Sequence, residues 1–458
     1  MFKVLTIAGS DSGGGAGVQA DLRVVNSMGG YGATVITAIT AQNTLGIESI
    51  FSLPADIVEN QLDAVLRDIK FDAVKTGMLY TSALINVTAA RLKHYKVRNL
   101  VVDPVTVSKG GNILLKKEAI KSLVEKIFPL SILVTPNIDE ASVLSGKNIK
   151  NIDDMKSAAT VIVKLGAKNV LVKGGHLKGS PVDVFYDGSA FTLFEGKRFD
   201  SKNTHGIGCM FSAFIASLLA SGFDLFNAVT KAKEYVEKAL INSEGVGNGI
   251  SPPDPSSWVV RDAVKLSAIE DAENAFEILK GRRLGFLIPE VQTNIASVTV
   301  SGNTIDDVAA FPGRIVRLGD DIGVLSSPKM GASSHIARVL LTARSFDKSI
   351  AGSMNIKYSP SIVSAAKKLG LEVAEFSRKS EPKSNSSREG RTLDWGVEQV
   401  LKKKGKCPDI IFDKGGEGKE PMIRVFGRSA KEAAEKVLKI AFEMKKTYPE
   451  GKAKGGNK

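Results

Sequence analysis

Asn203-Thr204-His205-Gly206-Ile207-Gly208-Cys209, followed by Met210-Phe211-Ser212-Ala213-Phe214-Ile215-Ala216, is a polar turn that runs into an apolar helix. Gly206 and Gly208 let the backbone turn with its amides facing one point. The helix that follows opens with unpaired N–H groups and the positive end of its dipole. Such a place binds an anion, most often a phosphate. Cys209 stands at the same helix start, where its thiol pKa is expected to be lowered, making it a usable base or nucleophile. A structural glycine turn with a buried cysteine fits these residues equally well, so the surrounding chain has to decide.

Upstream, apolar strands alternate with helical patterns, as in an α/β sheet. Val4–Ala8 reads as a strand and runs into the glycine-rich Gly9–Gly17 loop, with a helix starting near Val18. The loop lacks the Lys-Ser/Thr ending of a Walker A motif and the dinucleotide spacing, so it reads as a close-packed or flexible substrate loop. Strands at Ala33–Ala38, Ala73–Thr76, Leu100–Val102, Ile132–Val134 and Val170–Val172 each end in polar or special residues. Those ends are Gln42-Asn43-Thr44, Gly77-Met78, Asp103-Pro104, Thr135-Pro136-Asn137 and Lys173-Gly174-Gly175-His176. In open α/β sheets that edge is where ligands sit. Pro54–Asp68 has helical spacing, and Asp183–Phe194 reads as a hairpin around Asp187-Gly188.

The chain has 458 residues, 43% hydrophobic and 24% charged, which is globular composition with room for two or three domains. Its two cysteines, Cys209 and Cys407, form neither a disulfide framework nor a metal-ligand spacing, so a cytoplasmic setting is expected. The opening Met1–Gly9 run is too short for a signal peptide, and no run reaches membrane-spanning length. Residues 1–255 carry 27 Lys and Arg against 24 Asp and Glu, whereas residues 256–458 carry 35 against 25. A basic second half suits nucleic acid or a small polyanion. It lacks the interleaved aromatics and recognisable motif of a nucleic-acid binder.

Ser251–Ser257, rich in Pro and Ser, is expected to break regular structure as part of a linker spanning 251–264. Beyond it, Arg261–Gly281 reads as an amphipathic helix, Ile295–Val300 and Ile410–Phe412 as strands, and Arg338–Arg344 and Ser359–Leu369 as helices. Arg378–Arg391 is expected to be a mobile loop and residues 446–458 a disordered tail.

Seven motifs in order carry a resemblance: the Gly9–Gly17 loop with Gln19-Ala20-Asp21-Leu22, Ala41–Thr44, Gly77-Met78-Leu79, Asp103-Pro104-Val105, Thr135–Asn137, Val172–His176 and Asn203–Cys209. Residues 1–250 resemble hydroxymethylpyrimidine/phosphomethylpyrimidine kinases. The resemblance implies a ribokinase-like three-layer domain with a mostly parallel sheet, and ATP- and Mg²⁺-dependent phosphorylation of a pyrimidine alcohol and then of its monophosphate. It implies that Gln42 hydrogen-bonds the aminopyrimidine, with Met78, Gly9 and Asp21 also at the substrate. Lys173, Asn137 and Thr204 would meet ATP phosphates, and Asp103 and Glu140 would lie near the metal and its waters. Gly206 and Gly208 would form the anion hole, with Cys209 as candidate base. Ile207 departs from the usual threonine of this motif. Kinases of pyridoxal-type substrates share the fold, which keeps that substrate class open.

Residues 265–445 resemble the ThiN-type thiamine-phosphate synthase domain, a second, smaller α/β domain. The stretches are Pro312-Gly313-Arg314, Lys329–His335, Arg344–Ser349, Met354–Ser359, Asp394-Trp395-Gly396 and Asp413–Pro421. The resemblance implies condensation of the pyrimidine diphosphate with thiazole phosphate, giving thiamine phosphate and pyrophosphate. Arg314 and His335 would be the catalytic pair, and Gly415 and Lys419 would hold a phosphate. A ligand-sensing module that regulates the kinase is the alternative for this domain; sensing forms lack the Arg and His kept here. Small molecules are the expected partners, with no nucleic acid or membrane, in a homo-oligomer.

Overall fold

The computed structural model describes residues 1–106, 115, 117–175, 177, 179–199, 201–241, 243–378, 391–416 and 418–447. His176, the interior of the loop expected at 378–391, and the tail from 448 onward lie outside the described residues. The chain divides into two units, Met1–Val260 and Arg261–Lys458.

The first unit is a nine-stranded sheet made of β1 (Lys3–Asp11), β2 (Tyr31–Gln42), β3 (Ile47–Ser52), β4 (Ala73–Thr76), β5 (Leu100–Val102), β6 (Leu133–Val134), β7 (Val170–Val172), β8 (Val182–Tyr186) and β9 (Phe191–Glu195). Their order is β3-β2-β1-β4-β5-β6-β7-β8-β9. The six strands from β2 to β7 are parallel, while β3 at one edge and β8–β9 at the other pair antiparallel. Strand residues alternate between two apolar layers, because successive side chains point to opposite faces. Leu5, Val74, Val102 and Val134 enter one cluster, with Val58 and Leu62 of α2 (Ala55–Asp68) and Leu84 and Ile85 of α3 (Ser82–His94). Val4, Ala73, Val101, Leu133 and Leu171 enter the other, with Val24 and Val25 of α1 (Gly17–Ser27) and Phe214 and Ile215 of α7 (Ile207–Ala220). Helices on both faces make this a three-layer ribokinase-like sandwich. They also leave the C-terminal strand ends as the open edge.

Between α3 and α7 the chain forms α4 (Lys117–Ser122), α5 (Ile138–Ser145) and α6 (Ile152–Lys164), and α8 (Leu225–Ile241) follows α7. The strand β3 was not apparent in the sequence. It is an edge strand with exposed Phe51 and no alternation clean enough to mark it.

The second unit holds a seven-stranded sheet in which one pair of strands, Val373–Glu375 with Ile410–Asp413, is parallel and the other neighbouring strands pair antiparallel. Ile410 and Phe412 face one apolar layer, and Ile411 the other. The helices Ser334–Phe346 and Arg391–Lys404 cover the second face.

The expected linker differs from what folds. A helix, α9, runs Ser257–Glu277, so it begins inside the segment read as irregular. Ser251, Pro252 and Pro253 are buried in the first unit. Ser251 hydrogen-bonds the backbone of Val246, and Asp254 pairs with Arg23 at 2.9 Å. Prolines end the preceding structure, but they also bury apolar rings, and here that burial wins.

Candidate active sites

The open edge of the first sheet borders a cavity of about 910 Å³. Six parallel strands deliver residues to it: Gly9 and Asp11 from β1, Thr40 and Gln42 from β2, Lys75 and then Gly77-Met78 from β4, Asp103 after β5, Asn137 after β6 and Lys173 after β7. Glu140, Thr204 and Gly206–Cys209 complete the wall.

The helix α7 has Gly206 as its N-cap, in the left-handed region at φ 74°. A Cβ there would stand 1.9 Å from the carbonyl oxygen of Gly15, so no side chain fits. The first intrahelical bond runs from Met210 N–H to Gly206 C=O at 2.9 Å. The N–H groups of Ile207, Gly208 and Cys209 therefore precede the helical ladder at the cavity wall. A side chain on Gly208 would meet the Lys173 ammonium at 3.1 Å. Lys173 in turn pairs with buried Asp103 at 2.9 Å. Burial works against the Lys173 ammonium, but Asp103 and Glu140 hold its pKa above the ordinary value.

Glu140 is buried and caps α5: its carboxylate accepts the Asn137 N–H at 2.8 Å, and the Asn137 side chain accepts the Glu140 N–H at 2.9 Å. Burial pushes its carboxyl up to about 7; Lys173 opposes that rise and Asp103 adds to it.

Two readings of the sequence need correction. Burial pushes the Cys209 thiol up to about 11, with Lys75 opposing and Asp103 and Asp21 adding to the rise. Desolvation outweighs the helix start, so the thiol is protonated at neutral pH. Asp21 is not at the cavity. It is 1% exposed and lies beneath it, gripping Lys75 at 2.8 and 3.0 Å while accepting the Thr6 hydroxyl at 2.5 Å. Lys75, not Asp21, reaches the wall.

At the other end of the cavity Met78 packs with Ala38 and with Ile47, Ile50, Tyr80 and Val105, a small apolar cluster. A Cβ on Gly9 would meet the Met78 methyl at 2.5 Å, so the loop passes flush against it. Gln42 Nε2 lies 2.9 Å from His205 Nε2, which is 3.3 Å from Asp11 Oδ2. Asp11 also accepts the N–H groups of Gly13, Gly15 and Ala16. Burial raises its pKa, yet His205 and the amides of Gly13 and Ala16 bring it below the ordinary carboxylate value. The loop is thus closed around one carboxylate.

In the second unit Asp413 is fully buried and holds two guanidiniums. Arg378 grips it with Nε–Oδ1 at 2.6 Å and Nη2–Oδ2 at 3.1 Å, and Arg424 Nη1 donates to Oδ2 at 2.9 Å. Both guanidiniums lie against the Phe376 ring, at 6.0 and 5.4 Å from its centroid. His335 is at the start of the helix Ser334–Phe346. His335 is exposed at the surface, yet desolvation by the protein packed beside it, then the fields of Arg424, Arg314, Arg338 and Arg378, push its pKa down to about 4. Arg314 has φ 65° and donates to the Val291 carbonyl, beside a cavity of about 510 Å³ that Val291, Lys357, Tyr358 and Glu420 line. The structure so brings Arg314 and His335 within reach of each other's charge.

Gly415 and Lys419, expected to hold a phosphate, have their backbone amides engaged within the loop, as has Gly416. Gly415 N–H donates to Asp413 at 2.9 Å, and Gly416 and Lys419 exchange backbone bonds at 3.0 Å. These three amides are turned into the loop's own bonds and not toward an anion.

The sequence reading assigned no role to Lys75, Asp11, His205, Arg378 or Arg424. A signal existed for two of them: Lys75 in Ala73-Val74-Lys75-Thr76 and Arg424 in Met422-Ile423-Arg424-Val425-Phe426 are lone cations inside apolar strands. Such a charge is tolerated only when paired.

Sheet order, strand-end polar residues and a glycine-broken helix start over one cavity define a ribokinase-like phosphotransferase, here followed by a second unit with clustered guanidiniums. The family model for phosphomethylpyrimidine kinase matches residues 11–254, and that for thiamine-phosphate synthase ThiN matches residues 271–439. The chain belongs to the phosphomethylpyrimidine kinase family, in the form that carries a ThiN domain behind the kinase. A bifunctional thiamine biosynthesis protein ThiDN of Methanocaldococcus jannaschii is 33% identical over 438 residues, covering 95% of this chain and 97% of that one. A thiamine biosynthesis bifunctional protein ThiED of Geobacter sulfurreducens is 51% identical over 250 residues, or 54% of this chain; the match spans 51% of that relative's length. A Bacillus subtilis pyridoxal kinase, solved as an ADP complex, is 40% identical with a TM-score of 0.54, covering 57% of this chain and 99% of that one. Among the described residues no helix is long and apolar enough to cross a membrane.

Proposed function

We propose that the first unit uses ATP to phosphorylate 4-amino-5-hydroxymethyl-2-methylpyrimidine and then its monophosphate. The second unit condenses the resulting diphosphate with thiazole phosphate, giving thiamine phosphate and pyrophosphate. The observation that carries the reading is the convergence of six strand ends and the α7 start on one cavity, apolar at the Met78 end and cationic at the Lys173 end.

The flat ring packs on Met78 and Gly9, and the Gln42 amide offers both donor and acceptor to the aminopyrimidine. Lys173 and the N–H groups of Ile207, Gly208 and Cys209 meet the transferred phosphoryl group, with Thr204 and Asn137 along the phosphates. Phosphoryl transfer depends on this positioning and charge neutralisation more than on covalent chemistry by the protein. Cys209 holds its proton at neutral pH, so as a base it acts through a minor thiolate population.

The donor set suits Mg²⁺. Asp103 and Glu140 offer carboxylate oxygens at the cationic end, and the described residues contain no cluster of three or more His, Cys, Asp or Glu able to cage a metal. That fits an ion that keeps its waters and takes other ligands from nucleotide phosphates. When bound, it would neutralise phosphate charge. Glu140, engaged in capping α5, would reach it through water.

In the second unit Arg314 steadies phosphate charge and His335 donates a ring N–H to it as a neutral imidazole. Purified protein given the pyrimidine alcohol, ATP, Mg²⁺ and thiazole phosphate is expected to form thiamine phosphate. Accumulation of pyrimidine diphosphate alone would remove the synthase reading and leave the kinase. Phosphorylation of pyridoxal with no turnover of the pyrimidine would remove the substrate assignment.

A further inference from the structure

We propose that Arg378 and Arg424, held together by the buried Asp413, form the subsite that grips the diphosphate of the second unit's substrate. This rests on the synthase reading and adds two residues that the sequence left without a role.

Arg424 comes from the middle of an apolar strand, and its side chain is 3% exposed. A guanidinium carries five N–H donors. Among the described residues Arg424 hydrogen-bonds Asp413 and nothing else, while its flat face lies on Phe376. Its other donors have no protein partner among the described residues, which leaves them available to a ligand. Arg378 grips both oxygens of the same carboxylate and shares Oδ2 with Arg424, so one negative charge faces two positive ones. Both guanidiniums also act on His335, and Arg314 and Arg338 do so too. Among the described residues this cluster holds more positive than negative charge, which suits a multiply charged anion, and an organic diphosphate is one. Guanidiniums held rigid by a carboxylate and a ring suit bidentate contact with phosphate oxygens.

The chemistry places the demand here. The C–O bond between the pyrimidine methylene and the diphosphate breaks, and its electron pair leaves on the oxygen. The thiazole nitrogen lone pair then forms the new C–N bond. Negative charge therefore grows on the departing pyrophosphate, where preorganised donors help most. Asp413 is a positioning residue: it touches neither reactant and fixes the two that do.

The test uses the full chain with pyrimidine diphosphate supplied directly. Arg424→Met and Arg378→Gln are each expected to lower synthase kcat/KM by about 10²-fold. The inhibition constant of inorganic pyrophosphate should rise in parallel, with the KM for thiazole phosphate unchanged. Arg424→Lys, which keeps charge but loses the fork, should recover little. Kinase turnover and the melting profile report whether each variant is folded. Unchanged pyrophosphate inhibition in a folded variant overturns the proposal. A selective rise in the thiazole phosphate KM assigns the guanidiniums to the other phosphate and overturns it too. If the unaltered protein makes no thiamine phosphate, calorimetric titration of pyrophosphate, with the kinase site filled by a non-hydrolysable ATP analogue, separates the questions. Binding lost in Arg424→Met keeps the anion subsite while the synthase reading falls.

Discussion

The two units handle the same kind of cargo, phosphate esters, with opposite materials. The first site is built from backbone: a left-handed glycine, three helix-start amides and a loop closed around Asp11. Its lysines arrive already paired, Lys75 with Asp21 and Lys173 with Asp103. The second site is built from long side chains, with two guanidiniums on one carboxylate and two more acting on His335. The difference follows from what each has to do. A kinase must hold a phosphoryl group in line between two oxygens, so geometry fixed by backbone suits it. A synthase that releases pyrophosphate must meet growing charge, and an unbalanced cluster of cations does that.

The comparison breaks most sharply at Gly206. Gly206→Ala places a methyl 1.9 Å from the Gly15 carbonyl and forces alanine to φ 74°. The helix-start amides must move together. Kinase turnover is expected to fall by at least ~10³-fold, since single oxyanion donors are already worth ~10²–10³. Synthase activity on supplied pyrimidine diphosphate should persist. Equal loss of both activities would show that the methyl unfolds more than the site. The matching change in the second unit is Asp413→Asn, which leaves two guanidiniums, one of them buried, without their counter-charge. Removing one partner of a buried ion pair costs about 3–5 kcal/mol. Calorimetry should show a lowered unfolding temperature for the second unit, with synthase activity lost and kinase activity kept. A transition that does not move would mean that the carboxylate holds nothing.

How much of this was legible depends on what kind of signal each residue left. The parallel strands announced themselves as short apolar runs ending in Gln42, Gly77, Asp103, Asn137 and Lys173, and all five ends reach one cavity. The hairpin around Asp187-Gly188 was readable from its turn. The second sheet was harder, because its antiparallel neighbours are set by long-range pairing. The strand Met422–Gly427 lies between Gly352–Lys357 and Ile410–Asp413, which no local pattern states. Asp21 and Cys209 were misjudged for one shared reason: sequence gives position along a helix but not depth. Asp21 proved to be 1% exposed beneath the site, and burial overrode the dipole at Cys209. His205 stood in the very stretch that marked the fold, yet its neighbours Asp11 and Gln42 come from residues far away in the chain.

Depth at Cys209 sharpens the contrast with His335 through pH. A thiol pushed up to about 11 is protonated at neutral pH, and its thiolate fraction grows about tenfold per pH unit below that value. If Cys209 is the kinase base, kcat should climb from pH 7 to pH 9 without levelling. Cys209→Ala should flatten the profile and lower the rate by ~10²-fold or more, with the pyrimidine KM nearly unchanged. A flat profile in the unaltered enzyme would take the base role from Cys209. His335 has the opposite sign: its imidazole stays neutral until about pH 4, so in the unliganded second site it should not titrate between pH 8 and 5.5. The His335 ring resonances in NMR of the free protein should show no such transition.

The smallest effect is expected at Ile207, where the family motif has threonine. Ile207 is the first residue of α7, and its side chain packs on the cluster that holds Met210, Phe211 and Phe214. Its backbone amide belongs to the proposed anion hole, but any residue supplies that amide. Ile207→Thr exchanges part of an apolar contact for a hydroxyl at the cavity wall. About 1 kcal/mol of stability should be lost, the ordinary size for trimming a half-buried aliphatic chain. The kinase rate should stay within about threefold, because the amide donors keep their places and one added hydroxyl lacks their fixed aim. A gain of tenfold or more would show that the hole is built partly from side chains, as in the second unit, and would narrow the contrast between the two sites.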